Sequence, residues 1–194
     1  MRKLSFKPKV IGVAGTAASG KDSVANIFVK KYGFKKILLS NYLREEARKR
    51  HHKPDRDYLR RLQAILKREH GRHFLVAEAI DTILKKDHIR MKNIVIVGLR
   101  APEETRLAKN KLKAKIIFVD ANPFIRYKRA KERRRQGFAK TYTSFLHEEA
   151  LENAAFDFHL TKKYVDFKID NSGTIKDLEK QLDKLAKKLK LNKK

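Results

Sequence analysis

Short apolar runs alternate along this chain with longer stretches whose apolar residues recur every three or four positions. Val10–Ala14 (VIGVA) reads as a buried strand, Lys36–Leu39 as a second, Ile94–Val97 (IVIV) as a third and Ile116–Val119 (IIFV) as a fourth. Val165, Phe167 and Ile169 alternate with polar neighbours, which marks a fifth strand, half-buried or at an edge. Helical patterns fill the intervals. Val24, Ile27 and Phe28 share one face after the first strand. A helical region follows the second, breaks near Pro54, and resumes with Tyr58, Leu59, Leu62, Ile65 and Leu66 on one side. Gly71 separates it from a helix over Phe74–Leu84. Pro123 opens a very basic helix that runs to about Arg135, with Gly137 as its stop. The last helix lines up Ile175, Leu178, Leu182, Leu185 and Leu189, and Thr174 with Asp177 forms a capping box at its start. Strands alternating with helices specify an α/β fold with a parallel sheet. In such sheets ligands bind beyond the carboxyl ends of the strands, so the chemistry is sought there.

Composition narrows the classes. The chain has 194 residues, of which 41% are hydrophobic, enough for one domain with a real core. It has no Cys, which excludes disulfides, thiolate zinc sites, iron–sulfur clusters and thiol catalysis, and fits a cytoplasmic protein. No apolar run approaches a membrane span, and Lys7, Pro8 and Lys9 interrupt any leader-like segment behind Met1–Leu4. Lys and Arg number 49 against 22 Asp and Glu, a formal net charge of +27. Such a charge attracts polyanions, nucleic acid among them; a lysine-rich or heat-adapted surface carries it equally well. The basic tail, about residues 189–194, is expected to fray.

The segment after the first strand is the sharpest signal. Gly15-Thr16-Ala17-Ala18-Ser19-Gly20-Lys21 has the spacing G-x-x-x-x-G-K, between a strand and a helix. Glycines there let backbone N–H groups wrap around phosphates, and Lys21 brings a positive charge to the β- and γ-phosphates. The next residue in such loops is ordinarily Ser or Thr, whose hydroxyl ligates Mg²⁺. Here it is Asp22, followed by Ser23. Asp22 has two open readings, an oxygen ligand for Mg²⁺ or a cap on the helix it begins.

These residues resemble those of P-loop kinases of the nucleoside monophosphate kinase-like group. The nearest pattern is that of archaeal and bacterial dephospho-CoA kinase-related or deoxynucleotide kinase-like proteins. Ser40-Asn-Tyr-Leu-Arg44 resembles the acceptor-binding segment of adenylate kinase-like enzymes, Gly98-Leu-Arg100 their Asp-Gly-x-Arg segment, and Asp170-Asn-Ser-Gly-Thr174 the closing segment of dephospho-CoA kinases. The resemblance covers about residues 8–188. It implies a three-layer P-loop NTPase fold, with a five-stranded parallel sheet in order 2-3-1-4-5, helices on both faces and a short basic lid. It implies one domain over 1–194, an acceptor-binding helical region at about 40–90 and a lid at about 126–150. It further implies ATP and Mg²⁺ as cofactors, a small nucleotide-like acceptor, and transfer of the γ-phosphoryl group to it.

The remaining site candidates follow. Ser40 and Arg44, four residues apart, share a helix face where Arg44 would fork onto an acceptor phosphate. Arg100 would make a second acceptor contact, and Gln63 would read a base edge. Each has a plainer reading: surface pairing or capping for the arginines, a polar helix position for Gln63. Residues 126–140 hold eight basic groups and one Glu. Arg126, Arg129 and Arg133 align on one face, with Arg134 and Arg135 beside them. As a lid they would clamp the transferred group, with Arg129 and Arg133 catalytic beside Lys21. Nucleic-acid contact and a solvated face are the rivals. Ser172 and Gly173 stand where related folds touch the adenine, and Gly173 would let backbone approach the ring. The acid that often precedes the glycine after strand three is replaced by Val97. Asp120 is the other strand-end acid, for metal or for a cap. Glu148, Glu149 and Glu152 form an acidic patch that pairs with the basic lid. The alternative functions are a nucleic-acid-associated ATP-binding protein and a P-loop protein that binds ATP without turnover.

Overall fold

The computed structural model describes residues 8–85, 92–133 and 139–194, without the side chains of 56 and 57. Five strands make one parallel sheet: β1 (Val10–Gly15), β2 (Lys35–Leu38), β3 (Ile94–Leu99), β4 (Lys115–Asp120) and β5 (Phe167–Asp170). Their order is β2-β3-β1-β4-β5. The helices are α1 (Lys21–Tyr32), α2 (Leu39–Lys49), α3 (Arg56–His70), α4 (Phe74–Lys85), α5 (Pro102–Leu112), α6 (Pro123–Glu132), α7 (Tyr142–Ala155), α8 (Phe158–Thr161) and α9 (Ile175–Lys188). Arg134, Arg135 and the helix stop expected at Gly137 lie outside the described residues, as does Met1–Lys7.

Strand burial explains the sequence pattern. All six residues of β1 are buried because it is central and covered on both faces. The edge strands β2 and β5 each bury one residue fully, which is why β5 shows alternation instead of a solid apolar run. Period-two geometry sorts the core into two halves. Val10, Ala14, Ile94, Ile96, Ile116 and Phe118 pack with α2, α3 and α4. Ile11, Val13, Val95, Val97, Ile117, Val119 and Ile169 pack with α1 and α9. A bulge passes over Gly98, so that Val13 pairs with Val97 but Ala14 with Leu99.

Some differences from the sequence reading have local causes. α5 and α7 go beyond the helices expected. α5 begins with Pro102 at its first position, and Glu104 reaches back to the N–H groups of Arg100 (2.7 Å) and Ala101 (3.1 Å). α7 is capped by Thr141, whose Oγ1 accepts from the Ser144 N–H at 3.1 Å. Ile175 leaves the apolar stripe of α9 and is 57% exposed. The tail is hydrogen-bonded to the body of the domain in this structure. Lys9 Nζ donates to the Leu189 and Lys190 carbonyls, and the Lys194 N–H donates to the Lys31 carbonyl at 2.9 Å.

Candidate functional site

β1 delivers the chain to Gly15 at the carboxyl edge of the sheet, and the loop turns there into α1. Gly15 (φ +153°) and Gly20 (φ +92°) adopt angles that L side chains rarely take. A Cβ on Gly15 would stand 2.1 Å from the Val119 carbonyl oxygen, and one on Gly20 2.1 Å from Asn171 Nδ2. Ala18 is also left-handed, at φ 55°. Gly20 is the N-cap of α1 and supplies no side-chain cap, so the first-turn N–H groups and the helix dipole remain available to an anion. Ser19 Oγ is buried and lacks a hydrogen-bond partner. A cradle of this form fits nucleotide phosphates. Gly15→Ala pushes a methyl into immovable backbone. It is expected to destabilise the protein by about 1–3 kcal/mol and to abolish nucleotide binding, checked by thermal melting and by titration with AMP-PNP.

Lys21 bends back over the loop. Its Nζ donates to the carbonyls of Gly15 at 2.8 Å and Thr16 at 2.6 Å. Burial, and then the nearby Arg100, lower the ammonium to a pKa of about 8. Neighbouring elements tie the loop down. Thr16 Oγ1 donates to Asp120 Oδ1 at 2.8 Å, and Asn171 Nδ2 to the Ser19 carbonyl at 2.8 Å. Asp120 also accepts the Ala121 N–H, so it caps the turn and braces the loop together.

Asp22 stands in the first turn of α1, but its carboxylate lies 2.8 Å from Lys36 Nζ on β2. Lys36 also donates to Asn26 Oδ1, one turn along α1, at 3.0 Å. The carboxylate is a hard oxygen donor of the kind Mg²⁺ takes, with an ammonium already engaged on it. Among the described residues no group of three or more His, Asp or Glu could hold a metal by itself.

The basic residues separate into different roles. Arg126 is 3% exposed, so it is not part of an open clamp. It forms a bidentate pair with Glu149, donates Nε to the Ala121 carbonyl at 2.8 Å, and reaches the Ala17 carbonyl of the loop at 3.4 Å. Arg129 donates to the Asn171 carbonyl at 2.8 Å. Arg129 and the exposed Arg133 line a small open pocket with Gly20, Ser23, Asn171, Gly173 and Ile175. This brings Gly173 and both arginines to the flank of the loop, and the exposed Ile175 gives the pocket an apolar wall. Ser172 faces its own turn: its Oγ accepts the Asn122 N–H and donates to Asp170.

On the opposite flank, Arg44 Nη1 donates to Ser40 Oγ at 2.7 Å, so these two meet as the spacing requires. Arg100 pairs with Glu152 of α7, and the buried Glu104 carboxylate fixes its backbone. Thr161 Oγ1 donates to the Arg100 carbonyl at 2.6 Å. Gln63 is half-buried on α3. Of the acidic patch, Glu149 pairs with Arg126 of the basic segment as expected, while Glu152 crosses to Arg100. Sequence reasoning missed the crossing to Arg100, because Glu152 folds back from α7 onto a residue 52 positions earlier. The Thr141–Ser144 cap was the one local signal that α7 begins there.

A family model described as AAA domain matches residues 14–144. A UPF0200 protein from Hyperthermus butylicus is 29% identical over 181 residues, 93% of this chain and 94% of that protein. A second, from Methanothermobacter thermautotrophicus, is 26% identical over 181 residues, 93% and 90% of the two chains. Among solved structures, a shikimate kinase from Bacteroides thetaiotaomicron aligns with a TM-score of 0.62 at 17% identity, over 94% of this chain and 99% of that one. A shikimate kinase from Acinetobacter baumannii in complex with shikimate aligns with a TM-score of 0.60 at 13% identity, over 96% and 97%. At such identities the structural likeness shows the fold, a P-loop kinase fold with the sheet order found here. The phosphate loop, Arg100 and α6 all fall within the matched segment, and the chain belongs to the AAA domain family.

Proposed function

We propose that this protein is an ATP-dependent phosphotransferase that moves the γ-phosphoryl group of Mg-ATP to a small nucleotide-like acceptor. The observation that carries the reading is the loop Gly15–Ser23. It leaves the N–H groups at the start of α1 without a side-chain cap and holds a desolvated Lys21 over itself. Lys21 has three N–H bonds and directs two at loop carbonyls, which leaves one for a phosphate oxygen. Arg129 and Arg133 edge the neighbouring pocket, where they would oppose charge on the transferred group. The same pocket, with Gly173 and Ile175, would take the base of ATP. Arg44, Ser40, Arg100 and Gln63 would hold the acceptor on the other flank.

Mg²⁺, when bound, would neutralise phosphate charge, and Asp22 is the residue of this chain to hold it. Asp22→Ala is expected to raise the Mg²⁺ concentration needed for half-maximal AMP-PNP binding by about tenfold. Titration calorimetry at varied Mg²⁺ checks this, and an unchanged requirement would make Asp22 only the partner of Lys36.

Within this reading the acceptor is a nucleoside or deoxynucleoside monophosphate, or dephospho-CoA, and the protein works in the cytoplasm. A phosphate acceptor is already ionised at pH 7 and needs no general base, which favours the monophosphates. ATP consumption measured against these acceptors, shikimate, and short RNA and DNA tests the reading, with Lys21→Ala as control. Turnover on one small acceptor, lost in the variant, is the expected result. ATP binding without turnover on any acceptor would overturn it in favour of a nucleotide-binding protein, consistent with the apolar Val97 where related loops place an acid.

A further inference from the structure

α3 brings a lysine to the acceptor flank that no motif announces. Lys67 lies one turn beyond Gln63, and its Nζ stands 3.4 Å from the centroid of the Phe156 ring. Phe156 is 7% exposed and ends α7. The Arg100 guanidinium approaches the same ring, at 5.3 Å. Two like charges therefore share one aromatic surface, although they repel. Arg100 has Glu152 as counter-ion. Lys67 forms neither an ion pair nor a hydrogen bond among the described residues.

Two acids lie near enough to favour the Lys67 charge, and neither bonds to it. Glu103 Oε2, buried and without a hydrogen bond, stands 3.7 Å from Arg72, and Glu104 accepts the Arg100 and Ala101 N–H groups. Burial pushes the Lys67 ammonium below the usual lysine range; Glu104 opposes this, Arg72 and Arg100 add to it, and Glu103 opposes it more weakly. A half-buried ammonium in this position is costly unless an anion joins it. Arg100 also lies close enough to Lys21 to depress its pKa. Lys21, Arg100 and Lys67 thus form a series of cations leading from the phosphate loop to the Phe156 ring.

We propose that Lys67 and Arg100 together seat a phosphate dianion of the acceptor, and that Glu152 occupies Arg100 until that dianion arrives. Two positive charges on one ring match two negative charges on one phosphate. The inference rests on the phosphotransfer reading and narrows it, since a neutral nucleoside or sugar acceptor would leave Lys67 unsatisfied.

Inorganic phosphate titrated into the full chain, with saturating AMP-PNP present to fill the loop, tests this through the NMR signals of Phe156. Phosphate is expected to shift them. In Lys67→Met, whose apolar stem keeps the contact with the ring, the dissociation constant rises about tenfold, and in Lys67→Arg it is restored. Glu152→Gln removes the resident carboxylate and tightens binding. An absent response at Phe156, or equal affinity in wild type and Lys67→Met, overturns the proposal. AMP-PNP titrated alone and read at the Gly20 amide reports separately on the phosphotransfer reading. AMP-PNP binding with no phosphate response at Phe156 leaves that reading intact and removes the seat. A Lys67-dependent phosphate response without AMP-PNP binding does the opposite.

Discussion

Lys21→Ala is expected to lower the proposed phosphoryl turnover about 100- to 1000-fold, the loss that follows when one preorganised charge at such a site is removed. The wild-type lysine also leaves a distinctive pH signature. Its ammonium is held to a pKa of about 8 in the free protein, first by burial and then by Arg100. Bound phosphates favour the charged form and raise that pKa. Below pH 8 the lysine is protonated in both states and affinity is flat. Above pH 8 binding must take up a proton, so affinity falls, approaching tenfold per pH unit until the bound-state pKa is reached. Calorimetry of AMP-PNP binding at pH 9, in two buffers of different ionisation heat, is expected to show uptake close to one proton, absent in Lys21→Met.

The unliganded protein shows the opposite trend. Between pH 8 and the ordinary lysine range the unfolded chain holds a proton at this position that the folded chain has shed. The Lys21 contribution to stability therefore rises with pH across that window. Subtracting the Lys21→Met melting curve from the wild-type one isolates it. A pH-independent affinity in the wild type would show that Lys21 is not the group that meets the phosphates.

The sequence carries this lysine plainly, and most of the scaffold with it. Local periodicity marks all five strands, because the central ones are solid apolar runs and β5 alternates at an edge. The loop is legible because its geometry depends on glycines at fixed spacing. The polar wiring around it is not. Nothing local in Asp22 says that Lys36 meets it, and nothing in Glu152 says that it folds back onto Arg100, 52 residues earlier. Helical spacing aligns Arg126, Arg129 and Arg133, yet says nothing of solvent. The first is sealed under α7 and the last is exposed. α7 shows the same limit, since only Phe145 is buried along its length and no apolar stripe marks it.

Glu149→Ala is expected to destabilise the protein by about 3 kcal/mol, because it takes the bidentate partner from a buried guanidinium and leaves it only the half-exposed Asp120 carboxylate, 3.6 Å from Nε. Arg126 is 3% exposed and the Glu149 side chain 12%, so water reaches neither well enough to replace the partner. In a chain of this size that loss lowers Tm by roughly 10 °C in differential scanning calorimetry. The pair between Arg100 and Glu152 is the internal comparison. Its side chains are 40% and 35% exposed, and Glu152→Ala should cost no more than about 1 kcal/mol. Replacing Arg126 and Glu149 together by methionine removes the poorly compensated charge and is expected to restore most of the lost stability. It does not restore the tie from Arg126 to the Ala17 carbonyl. The double variant therefore melts near wild type while binding AMP-PNP more weakly, which separates the pair's part in holding α7 from its part in shaping the loop. A Glu149→Ala protein that melts within a degree or two of wild type would mean that α7 is held over the site by its aromatic contacts instead, with Phe145 against Tyr127 and Tyr142 against Phe124.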